Sequence, residues 1–183
     1  MSLAGLFGSW RAERGRAARA VRYVAAAMGE PDDASVQALA SAGDSDQDHA
    51  RWELRYARRA IALLVSERDA LDDQTSSDVA AALDAAHHAD PRVAPDRREV
   101  AGRQLNDRIR EYRAALQDRA ASAAAPERLG RVLLKFALAG KATPATVAMA
   151  ADLAAAMLTE CNQALREHYG EVSLPDDIRP SEL

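Results

Sequence analysis

Apolar side chains recur every three to four residues along most of the chain, which is the spacing of one face of an α-helix. The stretch 46–71 shows this pattern twice, as two neighbouring stripes on the same predicted helix. The first stripe comprises Ala50, Leu54, Ala57, Ile61, Leu64, Val65 and Leu71, and the second comprises Trp52, Tyr56, Ala60 and Leu63. A helix with so wide an apolar face is expected to lie at the centre of the fold.

Prolines and glycines separate the periodic stretches, as they do at helix ends. The pattern predicts helices over 3–28, 34–42, 46–71, 76–89, 96–123, 126–139 and 144–169. The fold class is therefore all-α, a helical bundle of about four long helices with short helices between them. We expect 46–71, 126–139 and 144–169 to form the centre, with 126–139 buried because its apolar residues lie nearly all round it.

The domain organisation follows from the absence of a long linker. We expect residues 1–170 to form a single helical domain in which 1–28 is a basic amphipathic N-terminal helix. Residues 171–183 form an acidic C-terminal tail.

Composition sharpens this picture, since 43 of the 183 residues are alanine and the β-branched and aromatic residues that strands favour are scarce. Alanine stabilises helices but supplies little burial energy, so the core depends on the larger apolar side chains. The thin apolar cover of the outer helices leads us to expect a partner surface.

Charge and residue usage bear on location and partners. Arginine outnumbers lysine 22 to 2, which is typical of GC-rich bacterial genes, and the net charge is −4. A mildly acidic chain of this kind is not expected to bind nucleic acid. The N-terminal arginines follow the first apolar cluster rather than precede it, so we read no secretory signal and expect a cytoplasmic protein.

The candidate metal ligands are Asp84, His87 and His88, within the predicted helix 76–89. A carboxylate and an imidazole three or four residues apart share a helix side and can hold Zn²⁺ or Fe²⁺. However, adjacent histidines diverge by about 100° around a helix. The favoured interpretation is that the histidines complement the negative end of the helix dipole.

The run from Asp44 to Asp48 resembles the opening of a calcium loop. An EF-hand requires glycine at its sixth place and glutamate at its twelfth, where this sequence has His49 and Arg55. We therefore interpret the run as an acidic helix cap.

The basic helix 1–28 is the best candidate for a contact surface. Its candidate interaction residues are Trp10, Arg11, Arg19 and Arg22. A basic amphipathic helix with a tryptophan can bind an anionic membrane surface. We favour docking on the protein's own core or on a second subunit, because an apolar stripe usually faces protein.

Catalytic motifs are missing from the sequence. No phosphate-binding glycine loop or nucleophile elbow is present, and Cys161 fits a small buried residue better than a nucleophile. The arginines of 96–123 alternate with acids, which predicts a solvated face. We expect no cofactor and a non-enzymatic helical interaction or regulatory protein that self-associates or binds a protein partner. The alternatives are a metal- or small-ligand-binding bundle using Asp84, His87 and His88, including an enzyme, and peripheral membrane association.

Overall fold

The computed structural model describes residues 3–69, 73–118, 123–138 and 140–170, with side chains from residue 14 onward. These ranges contain no strand and seven α-helices. The helices are α1 (Leu3–Ala27), α2 (Asp33–Gly43), α3 (Gln47–Asp69), α4 (Asp73–His88), α5 (Arg98–Gln117), α6 (Ala125–Ala137) and α7 (Pro144–Tyr169). The predicted all-α class is confirmed.

The helix ends lie close to the predicted ones except around α5. The turn Pro95–Arg97 is a short 3-10 helix, and the α-helix begins only at Arg98. Asp118 takes an extended conformation, so α5 ends several residues before the predicted boundary. The acidic tail 171–183 lies outside the described residues.

The core receives apolar side chains from all seven helices. The largest share comes from α3, whose buried residues include Leu54, Ala57, Ile61 and Val65. The wide apolar face predicted for this stretch is confirmed, although α3 also buries charged side chains that the apolar pattern did not indicate.

Helix α6 differs from the prediction that it is buried all round. Leu129, Leu133 and Leu134 face the core, but Arg131 and Lys135 are exposed. The two cations lie four residues apart and therefore define one solvated side of the helix.

The packing of α6 against α7 is close because Gly130 has no side chain. A Cβ atom added to Gly130 would lie 2.6 Å from the Ala151 nitrogen and 2.7 Å from the Ala150 carbonyl carbon. Both distances are far below van der Waals contact, so only glycine allows this approach of the two backbones.

Helix α1 runs antiparallel to α3. The Tyr23 hydroxyl donates to the Ala62 carbonyl oxygen at 2.8 Å, and Glu30, just beyond α1, accepts from Arg55 nearer the start of α3. Since α3 and α4 are consecutive antiparallel helices, α1 lies parallel to α4. No helix in the described part of the chain has the length and hydrophobicity that crossing a bilayer requires.

Candidate functional site

The most unusual feature of the interior is a fully buried arginine. Arg59 of α3 has no exposed surface, and its Nη2 donates to Asp90 Oδ2 at 2.6 Å. The Asp90 side chain is equally buried. Asp90 reaches this position because the chain turns directly after α4, where the Asp90 amide donates to the His87 carbonyl. A buried charge of either sign requires such a partner.

A second arginine completes the environment of Asp90. Arg92 donates to Asp90 Oδ1 from its Nε at 2.7 Å and from its main-chain nitrogen at 3.0 Å. Arg92 also pairs with Glu30, which accepts from Arg55 Nη2 at 2.6 Å. These five charged residues and His87 form the Arg59 cluster, which joins α3 to the connections after α1 and α4.

The charges of the Arg59 cluster fix the protonation of Asp90. Burial alone would raise the pKa of this carboxyl, but the hydrogen bonds from Arg92 and Arg59 outweigh it and lower the pKa to about 2. The carboxylate is therefore ionised at neutral pH.

His87 is held in its neutral form by the same arginine. Arg59 Nη1 lies 2.8 Å from His87 Nδ1, and because a guanidinium can only donate, Nδ1 must be the acceptor. The ring proton is consequently on Nε2, which is buried and has no partner within hydrogen-bonding geometry among the described residues. Burial and then the Arg59 cation lower the pKa of His87, opposed by the main chain of Ala101 and by Asp90 and Asp84.

The three candidate metal ligands do not converge in this structure. Asp84 and His88 are exposed on α4, whereas His87 is buried and its Nδ1 is used by Arg59. Within the described ranges, no three His, Cys, Asp or Glu side chains are grouped so that they could hold a metal ion. A metal site at Asp84, His87 and His88 stays a prediction, and the geometry does not favour it.

The residues that resemble the opening of a calcium loop form helix caps in the structure. Asp46 Oδ1 accepts from the main-chain nitrogen of His49 at 2.7 Å, at the start of α3. Asp44 takes a left-handed conformation with φ 47° and ends α2. The acidic residues therefore form the connection between two helices, as interpreted from the sequence.

A buried polar seam joins α3 to α5. Glu53, only 4% exposed, accepts from Arg108 Nη2 at 2.5 Å, and the Tyr56 hydroxyl donates to Gln104 at 3.0 Å. The Arg108 guanidinium also lies over the Phe136 ring, 4.1 Å from its centre. The arginines of α5 were predicted to form a solvated face laced with salt bridges, and Arg103, Arg110 and Arg113 do form ion pairs. The solvated part of that prediction is wrong at Arg108, because this arginine reaches across to α3 and α6.

Cys161 lies beside a small cleft between α1, α3 and α7. Its thiol is buried, and burial raises its pKa to about 12. Tyr23, Arg58 and Glu160 also line the cleft, and the last two form an ion pair at 2.7 Å. A thiol in this state is not a nucleophile at neutral pH.

The candidate interaction residues on α1 have different environments. The side chains of Trp10 and Arg11 lie outside the described residues. Arg19 stacks over the Tyr169 ring of α7, with 5.7 Å between the guanidinium carbon and the ring centre. Arg22 is exposed and has no ion-pair partner in the described ranges.

The exposed sides of α1 and α4 form one continuous surface. We call it the α1–α4 face, and it comprises Arg14, Ala17, Ala18, Val21, Arg22 and Ala25 of α1 and Ala80, Ala81, Asp84, Ala85 and His88 of α4. Val21 is 60% exposed, more than any other large apolar side chain in the described ranges. This face is apolar at Val21 and carries opposite charges on its two helices.

Sequence reasoning did not identify the Arg59 cluster. Arg59 lies at the edge of the second apolar stripe of α3 rather than within either stripe, so the hydrophobic pattern gives no clear sign that it is buried. Its carboxylate partner could not be named in advance, because 28 acidic residues compete for that role.

Comparison with protein-family models, with curated proteins and with solved structures finds no match to this chain. Function must therefore be argued from the geometry alone.

Proposed function

We propose that this protein is a non-enzymatic helical interaction protein that associates with itself. The proposal includes the predicted bundle arrangement, with α1, α3, α5 and α7 as its long helices. The observation that carries it is the exposure of Val21 in the middle of the α1–α4 face. An apolar side chain of this size on a helix of small residues leaves a surface that a second helical layer can cover.

The internal use of the reactive groups supports the same conclusion. His87 accepts from Arg59, Asp90 is ionised between two arginines, and Cys161 is a buried thiol. A general base or nucleophile needs access to substrate, and the side chains of all three residues are buried.

The membrane alternative has weaker support. Arg16 lies 3.6 Å from Asp78 of α4, and Arg19 covers Tyr169, so both arginines contribute to the packing of α1. Binding to an anionic surface depends on basic side chains that are available to the headgroups.

Sedimentation velocity on the purified full-length chain tests the proposal over a range of concentrations. We expect a species with twice the chain mass of 19.7 kDa that becomes more abundant as concentration rises. A single species of one chain mass at every concentration would contradict self-association.

A further inference from the structure

The α1–α4 face has a fixed register between its two helices. An offset of 62 residues relates Arg92 to Glu30 beyond one end of the helix pair. The same offset relates Asp78 to Arg16 near the other end. Because α1 and α4 run parallel, residues that differ by about 62 lie at about the same height along the two helices.

This register places two exposed side chains of opposite charge at the same level on the two helices. Arg22 and Asp84 also differ by 62, and both are exposed. Neither makes an ion pair within the described residues. One helix of the face therefore offers a cation at the level where the other offers a carboxylate.

We infer that the occupant of the α1–α4 face is a second copy of this chain, related by a two-fold axis parallel to the helices. Such an axis lays α1 of each copy on α4 of the other, in the same direction and at the same height. Arg22 of each copy then faces Asp84 of the second copy, which gives two symmetric ion pairs. The inference rests on the proposed self-association and names its surface.

Charge complementarity selects this axis over the other simple arrangement. A two-fold axis perpendicular to the helices would pack α1 on α1 in opposite directions. That packing brings the side of α1 that carries Arg22 onto itself and the side of α4 that carries Asp84 onto itself, and like charges brought together disfavour association.

The apolar part of the face fits the same geometry. Val21 lies one residue below the height of Asp84, and the neighbouring exposed side chains of α4 at that height are Ala81 and Ala85. These alanines are four residues apart, so they form the gap between two turns into which a larger side chain packs.

The experiment compares dimer dissociation constants by sedimentation equilibrium on the full-length chain. Val21→Glu is expected to weaken dimerisation roughly 100-fold, since two valines lose their burial in each dimer. Val100→Glu is the matched control, because Val100 is 38% exposed and belongs to α5, which is not one of the two helices of the face. Circular dichroism melts of both variants check that the fold is retained.

A charge exchange tests the axis. Arg22→Glu is expected to weaken dimerisation about tenfold, and the double variant Arg22→Glu with Asp84→Arg is expected to restore it. Failure of the double variant to recover would overturn the parallel axis.

The remaining outcomes separate the two proposals. A wild-type dimer that Val21→Glu leaves intact would overturn the α1–α4 face and leave self-association standing. A wild-type monomer would overturn both. A monomer that binds phosphatidylserine vesicles through Val21 would assign the face to a membrane and overturn the second copy as its occupant.

Discussion

Replacing Asp90 with alanine is the sharpest test of the Arg59 cluster. The change removes the carboxylate that contacts both Arg59 and Arg92 and leaves the Arg59 guanidinium in an environment with no solvent access. Removing one partner of a buried ion pair costs about 3–5 kcal/mol. A domain of this size has a free energy of unfolding of about 5–15 kcal/mol, so the loss is about a fifth of it or more.

The assay is urea denaturation followed by far-ultraviolet circular dichroism at pH 7. We expect the free energy of unfolding of Asp90→Ala to fall by about 3–5 kcal/mol. Asp152→Ala is the control, since Asp152 is exposed on α7, lies outside the α1–α4 face and has no ion-pair partner in the described ranges. Its replacement is expected to change the free energy of unfolding by less than about 0.5 kcal/mol.

A double variant separates a missing partner from a missing ion pair. Replacing Arg59 by methionine together with Asp90→Ala removes the uncompensated cation, so it is expected to be more stable than Asp90→Ala alone. Equal effects of Asp90→Ala and Asp152→Ala, or no gain in the double variant, would refute the account of the cluster.

Three further outcomes follow from the structure. Because the pKa of His87 is lowered, its contribution to the free energy of unfolding is present above the unfolded-state pKa of about 6.5 and is lost as pH falls below that value. His87→Gln should therefore flatten the dependence of the urea midpoint on pH between about pH 5 and 7. An unchanged profile would contradict the neutral ring. Gly130→Ala should lower the free energy of unfolding by about 2 kcal/mol or more. Gly102→Ala, whose Cβ meets no atom within 4 Å, should raise it by about 0.5–1 kcal/mol. Similar melting temperatures of the two variants would contradict the close approach of α6 and α7. The Cys161 thiol should react with Ellman's reagent only as fast as the chain unfolds, and rapid labelling of the folded protein would show that it is accessible.

The helices could be predicted from sequence because their signals are local. Neighbouring members of the two stripes of 46–71 are three or four residues apart, and a proline is the first residue of α7. Each of these signals therefore acts within about one helical turn. The error at α6 has a local cause as well, since Arg131 and Lys135 were outweighed by the surrounding leucines.

The candidate site could be predicted only in part, because its partners are distant along the chain. His87 was singled out as a candidate metal ligand and, in the favoured interpretation, as a complement to the helix end, but not as the acceptor of a buried arginine 28 residues away. Periodicity assigns a residue to a face and gives no information about which residue of another helix lies opposite. Arg108 shows the same limit, since its partner Glu53 is 55 residues away.

The Arg59 cluster also has a consequence for the order in which the chain folds. Glu30, Arg59 and Asp90 come from three separate parts of the sequence, so the complete cluster forms only when α1, α3 and α4 have assembled. Before assembly, water hydrates the Arg59 guanidinium, and after burial only correctly placed carboxylates can replace that hydration. A collapsed chain with α4 out of register would bury the guanidinium without compensation and reopen. The cluster therefore disfavours wrong packing of the alanine-rich helices, whose small side chains distinguish poorly between one helix-packing register and the next.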